Sequence, residues 1–151
     1  MAQDNSRIAF YIGEYDIFDN LSAFAIVWKG KLWPTLEHAY QAAKFEDESI
    51  ITQIQNATSA HGSKEISHKF LKEGNGRKDW QDNKVAVMRE LIRLKADQHP
   101  HVMEKLLETK GQALVEDSPT DSFWGRGPNH DGENWAGKLW MEYRDELLAP
   151  R

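Results

Sequence analysis

Trp33-Pro34-Thr35-Leu36-Glu37-His38-Ala39-Tyr40-Gln41-Ala42-Ala43-Lys44-Phe45 is the stretch from which the rest of the chain can be read. Proline restrains the residue before it to an extended conformation, so Trp33 precedes a helix start, and Thr35 can accept a hydrogen bond from a first-turn amide. A helix is expected from about Leu36. At about 100° per residue, Glu37, Tyr40, Gln41 and Lys44 share one stripe, while Leu36, Ala39 and Ala43 share the adjoining one and face the core. Glu37 and Lys44 lie about 10 Å apart along the axis, a spacing suited to gripping two ends of one small ligand rather than to a direct ion pair. The helix dipole alone favours an acid in the first turn and a base in the last. What tips the balance toward a site is the company: Tyr40 and Gln41 are amphipathic hydrogen-bonding groups, and the alanines let another element come close.

The 151 residues fit one domain, spanning 1-151 with an ordered core over about 8-148, and suffice for a real hydrophobic core. A hydrophobic fraction of 40% with 11% aromatics is globular, and no apolar run approaches a membrane span. The polar start Met1-Ala2-Gln3-Asp4-Asn5-Ser6-Arg7 does not resemble a signal peptide, and a cytoplasmic location is expected. With no cysteine, disulfides, thiol catalysis and thiolate metal sites are all excluded. A formal net charge of -5 argues against wrapping duplex nucleic acid but leaves room for a local basic pocket. Six tryptophans modestly favour a site for a flat heterocycle, although most tryptophans are core or interface.

Ile8-Ala9-Phe10-Tyr11 has the length of a buried strand, and Phe24 to Trp28 with Leu32-Trp33 reads as a hairpin turning at Gly30. Helices are expected from Asp47 to about Gln55, from a Thr58 or Ser59 cap to about Glu73, and from Trp80 to Asp97. A further helix should open at Pro100 and close by Gly111, and a last one, capped by Asn134, should carry Trp135, Leu139, Tyr143 and Leu147. Leu114-Val115 is a brief extended piece. The fold class that follows is α+β, predominantly helical: a single compact domain with a small β-sheet or hairpin packed on several helices.

Phe123 to Asn134 is glycine-rich, has almost no aliphatic side chains and is read as a loop that cannot be core. Its glycine amides, with Arg126 and His130 beside Trp124, suit a phosphate or ribose next to a base; a hydrated loop over the core is about as good a reading. Its spacing matches neither a phosphate-binding loop nor a dinucleotide fingerprint. The six histidines show no metal spacing, so neither a metal nor a cofactor is expected. Arg144 could return to a site, though a helix-face salt bridge is the simpler expectation. Among the loop acids, Asp19 is the one to follow.

Three separated motifs together resemble one family. Gly30-Lys31-x-Trp33-Pro34-Thr35-x-Glu37-His38-x-x-Gln41-Ala42-x-Lys44-Phe45, then Asp79-Trp80, then Phe123-Trp124-Gly125-x-Gly127 with Asn134-x-x-Gly137-x-x-x-Met141-Glu142-x-Arg144, are similar to the NADAR family, including the YbiA-like N-glycosidases. The resemblance runs from about Phe10 to Leu147. It implies a mostly helical domain that hydrolyses an N-glycosidic bond to ribose. The substrate would be an ADP-ribosyl adduct on guanine, free or in nucleic acid, or an aminopyrimidine ribose phosphate of early riboflavin biosynthesis. It also implies Glu37 and Lys44 as catalytic residues, with Trp80, Trp124 and Gly125 in the site. Tyr40, Gln41, Arg126 and Asn134 complete the expected substrate-binding set. Two positions depart from the pattern: Ser22-Ala23-Phe24 stands where relatives often read Ser-Asn-Phe, and Arg126 replaces an acid. The second change favours a nucleotide or diphosphate. The rival expectation is a module that binds ADP-ribose or a nucleotide without cleaving it.

Overall fold

The computed structural model describes residues 7-11 and 13-150. These residues form two compact units, one from the described residues up to Asp19 together with those from His99 onward, the other from Asn20–Gln98. Each has its own logic. The strands number four and the helices six among the described residues, so the chain is α+β and predominantly helical.

The unit Asn20–Gln98 begins with an antiparallel hairpin, β2 (Ile26–Trp28) and β3 (Lys31–Trp33), registered Ile26 with Trp33 and Trp28 with Lys31. Its turn places Lys29 and Gly30 both at positive φ, 52° and 75°, the two-residue turn whose twist matches the strands. Outward-facing backbone groups of the hairpin are met by side chains: the Gln98 amide accepts from Val27 N at 2.8 Å and donates to Val27 O at 2.9 Å, and Gln55 donates to Leu32 O at 2.9 Å. Val27 and Leu32, paired across the strands, remain exposed.

Four helices follow: α1 (Leu36–Ala42), α2 (Glu48–Gln55), α3 (Ala60–Lys72) and α4 (Trp80–Gln98). Three of the four starts carry a side-chain cap, Thr35 and Ser59 as expected. Thr35 Oγ1 accepts from His38 N, Asp47 accepts from Ser49 N and Ile50 N, and Ser59 accepts from Gly62 N. Helix α1 packs against α2, α3 and α4, and all seven of its residues are buried. This goes beyond the expected stripe, because three neighbours leave no solvent face. His38 becomes a latch: its Nε2 donates to Ala57 O at 3.0 Å, so its Nδ1 accepts from the Thr35 hydroxyl at 2.8 Å. Helix α4 buries Trp80, Met88, Leu91, Ile92 and Ala96, whereas Val85, Val87 and Leu94 are only half-buried.

In the other unit, β1 (Arg7–Phe10) pairs in parallel with β4 (Ala113–Glu116), Ile8 opposite Leu114 and Phe10 opposite Glu116. The brief extended piece at Leu114 is therefore a full partner, paired with a segment near the other end of the chain. A 3-10 turn (Asp16–Phe18) brings Phe18 edge-on to Phe10, with ring centroids 5.8 Å apart, and onto Trp140 at 5.0 Å. Trp140 is fully buried and donates from Nε1 to Phe18 O at 3.1 Å, which satisfies its polar atom inside the core. Helices α5 (Pro100–Glu108) and α6 (Trp135–Leu148) pack together, and α6 lies on β4. The buried face of α6 is Ala136, Leu139, Trp140 and Tyr143, so it is rotated from the expected line; Leu147 is exposed. Arg144 is buried and clasps the end of α5, donating from Nη1 to Thr109 O, Thr109 Oγ1 and Gln112 O. It thereby ties the turn that follows α5 to α6.

Candidate functional site

Five of the expected site residues, Glu37, Tyr40, Gln41, Lys44 and Trp80, are brought together in the unit Asn20–Gln98. Glu37 stands in the first turn of α1 and its amide donates to Asn20 O at 3.0 Å. Its side chain is buried, only 5% exposed, and Oε1 accepts from Gln41 Nε2 at 2.6 Å one turn on. That bond orients the carboxylate. It also leaves Gln41 Oε1 buried with no hydrogen-bond partner, and Asn20 Oδ1 is buried and unpartnered as well. A buried carbonyl oxygen without a donor is destabilising by about 1–3 kcal/mol. The Gln41 oxygen, on the same amide that orients the Glu37 carboxylate, is an acceptor that suits a ligand with donors, such as ribose hydroxyls.

Lys44 lies just past α1, since the last helical residue is Ala42, rather than in the last turn as expected. It is fixed nevertheless: its amide donates to Gln41 O, and its carbonyl accepts from Arg77 N at 2.7 Å. Its Nζ sits 5.1 Å from the centroid of the Tyr40 ring, a cation–π contact, and Tyr40 in turn meets Trp80 at 5.3 Å with the rings tilted by 60°. The aromatic pair therefore sets where the ammonium lies. Ahead of Trp80, Arg77 grips Asp79 through two bonds of 3.0 Å, and this guanidinium holds the Asp79 carboxyl below its usual range. The fork fixes the turn that carries both the Lys44 anchor and the start of α4.

Lys95 is a residue that sequence reasoning passed over. It is fully buried on α4, donates from Nζ to Ser22 Oγ at 2.8 Å and lies 5.2 Å from the Phe24 ring. The signal was present: it falls three and four residues after Ile92 and Leu91, on the apolar stripe. Asn20 was missed because no local pattern marks a loop residue whose carbonyl receives a helix amide. Asp19 is buried as well.

The remaining expected residues, Trp124, Gly125, Arg126 and Asn134, belong to the other unit. The segment from Asp117 to Asn134 is not the unstructured loop expected but a tightly bonded one. Asp121 Oδ1 accepts from Phe123 N and Trp124 N, Ser118 Oγ accepts from Thr120 N and Asp121 N, and Gly132 N donates to Arg126 O. Trp124 is buried, meeting Phe123 edge-on at 4.8 Å, so the segment does carry core. A side chain at Gly125 would come within 2.9 Å of Glu116 O. Close packing of backbone against β4 explains that glycine without a ligand. The Arg126 Nε pairs with Asp117 at 2.7 Å, so its charge is shared within the segment rather than held wholly for a substrate. Asn134 stands at the N-cap position of α6 as expected, but not as a side-chain cap. Its side chain caps nothing; Oδ1 accepts from Glu116 N at 2.8 Å and Nδ2 donates to Leu114 O at 3.0 Å, so both polar atoms are committed to β4.

No group of three or more His, Asp or Glu residues able to hold a metal occurs among the described residues. No helix among them is long and apolar enough to cross a membrane.

The chain belongs to the NADAR domain family, whose model matches residues 9–148. The chain is similar to the N-glycosidase YbiA of Shigella boydii serotype 4, 38% identical over 138 residues that cover 91% of this chain and 85% of that protein. It also resembles the NMR structure of the E. coli protein YbiA, with a TM-score of 0.86 and 36% identity, over 97% of this chain and 87% of that one. The chloroplastic riboflavin biosynthesis protein PYRR of Zea mays is 39% identical over 125 residues, 78% of this chain but 20% of that protein.

Proposed function

We propose that this chain is an N-glycosidase that hydrolyses a C–N bond to ribose, with Glu37 and Lys44 as its catalytic pair. The observation that carries the assignment is the buried Glu37 carboxylate, oriented by the Gln41 amide whose own oxygen is unpartnered. As the bond breaks, positive charge grows on the sugar and negative charge on the departing base. Preset acceptors at the sugar stabilise that charge without having to reorganise, which is where most of the acceleration in such sites arises. The names of the relatives, N-glycosidase and riboflavin biosynthesis protein, support the same chemistry.

In this scheme Glu37 supports the oxocarbenium-like carbon or takes a proton from the attacking water. Lys44 supplies positive charge to a phosphate or to the leaving base. Alternatively, its neutral amine attacks the anomeric carbon: the new C–N bond forms as the base leaves with the electron pair of the old one and takes up a proton, the deprotonated N-ribosyl amine then expels the ring oxygen, which is protonated, to give a Schiff base, and water hydrolyses this to ribose and the amine. Tyr40 and Trp80 position the base. The substrate classes are an ADP-ribosyl adduct of guanine, free or in nucleic acid, and an aminopyrimidine ribose phosphate. The absence of cysteine fits a reducing, cytoplasmic setting.

The test is to incubate the protein with ADP-ribosylated guanosine and with an aminopyrimidine ribose phosphate and to follow release of the base. Turnover of at least one is expected, with Glu37→Gln lowering kcat by roughly 100-fold or more at nearly constant KM. Tight binding of either compound with no base released, unchanged in Glu37→Gln, would instead make the chain a non-catalytic binding module.

A further inference from the structure

One ionisable group in the unit Asn20–Gln98 has no part in the chemistry described above, yet is buried completely. Lys95 stands in the last turn of α4, where the helix dipole favours a base, but an exposed position would meet that preference; Lys95 is instead fully buried on the stripe that carries Met88, Leu91 and Ile92. Taking an ammonium out of water is costly unless its donors are met, and an apolar side chain of similar length would pack there at least as well. The charge is explained by what it grips.

Lys95 Nζ donates to Ser22 Oγ at 2.8 Å and lies 5.2 Å from the centroid of the Phe24 ring. Between these two contacts the chain doubles back, with Phe24 N donating to Ser22 O at 2.8 Å, so one ammonium holds both ends of a tight turn. Other residues of α4 hold the hairpin itself: Glu90 accepts from Trp28 Nε1 at 3.0 Å, and Gln98 bonds both backbone atoms of Val27. The turn at Ser22 follows closely on Asn20, whose carbonyl accepts from Glu37 N at 3.0 Å. That amide is one of those a helix start leaves without a partner in the helix. Thr35 serves the next two, accepting from His38 N at Oγ1 and from Ala39 N at its carbonyl. The Asn20 carbonyl is thus what ties down the residue of α1 that carries the buried carboxylate.

We infer that Lys95 is a positioning residue: by clamping the turn over residues 22-24 it holds the Asn20 carbonyl on the Glu37 amide, and so sets the Glu37 carboxylate in the first turn of α1. The route from α4 to α1 has a hydrogen bond at each end and a short run of chain between them. The consequence for turnover rests on the glycosidase assignment, but the link between Lys95 and the Glu37 amide does not.

Native-state hydrogen exchange of the whole protein, read amide by amide by NMR, tests the link in two variants. Lys95→Met keeps the length of the side chain and removes its charge, whereas Ser22→Ala removes the hydroxyl and leaves the ammonium in place. In both, Glu37 N–H should exchange at least about tenfold faster than in the parent, while His38 N–H, held by Thr35, should change less than about threefold. Unchanged exchange at Glu37 in a folded variant overturns the clamp, and so does an equal acceleration at Glu37 and His38, which is general loosening. If Lys95→Met does not fold, Ser22→Ala decides the matter alone. With a riboside that the protein cleaves, both variants should lower kcat by roughly tenfold and keep KM within about twofold, because the carboxylate acts in the transition state. A raised KM with kcat unchanged would refute the positioning role. If no riboside is cleaved while Glu37 N–H still responds, the glycosidase assignment fails and the clamp stands.

Discussion

Replacing Asn134 tests whether the junction between the long loop and α6 is a structural clamp. Asn134 sits at φ 53° and ψ 43°, a left-handed conformation, and its amide spans β4 with bonds of 2.8 Å to Glu116 N and 3.0 Å to Leu114 O. Asn134→Ala removes both partners at once. Two partly buried backbone groups without partners are destabilising by about 2–3 kcal/mol together, and alanine in the left-handed region adds about 1 kcal/mol. The expected loss is about 3–4 kcal/mol, or a fall in Tm of roughly 6–16 °C for a chain of this size. Asn134→Gly loses the same bonds but not the backbone preference, so it should be less destabilised than alanine by about 1 kcal/mol. Urea unfolding of the three proteins at pH 7, with unchanged m-values, gives the ranking. An alanine variant within about 0.5 kcal/mol of the parent, or a glycine variant less stable than alanine, refutes the clamp. A raised KM with intact stability would return Asn134 to the substrate contacts.

Sodium borohydride added during turnover should trap a ribosyl adduct on Lys44 if the amine route operates, detectable by mass spectrometry of the peptide; an active enzyme with no adduct limits Lys44 to its charge. A second expectation concerns pH. Because the folded protein holds His68 below its ordinary range, the unfolded chain binds the proton more readily. The contribution is therefore complete above about pH 6.5 and is lost as pH falls through the folded value. His68→Gln should flatten that part of the stability profile between about pH 7 and 5, and an unchanged slope would count against partial burial and the neighbouring lysines lowering His68.

Much of α1 to α5 was legible because the signals are local. Pro34-Thr35, Asp47, Ser59 and Pro100 each act within one turn, and the helices begin where those residues put them. The hairpin was readable from Gly30 for the same reason. What stayed hidden depends on partners distant in sequence. Nothing around Leu114 announces that it will pair with Ile8, and nothing around Asn134 that its amide will be bonded to β4. Glycines at 125 and 132 looked like a ligand cradle, yet a tightly packed backbone selects the same residue. For the site, the charges of Glu37 and Lys44 were visible, whereas Asn20 stood out only once burial was known.

The glutamines at 55 and 98 give the short β2–β3 ribbon a property of its own. A strand rim with open amides and carbonyls invites a neighbouring molecule to add itself, and the apolar Val27 and Leu32 would strengthen the invitation. Here two amide side chains occupy the very atoms such an intruder would need. One glutamine thus covers the outer edge of each strand, and the exposed apolar pair meets water beside backbone atoms that are already bonded.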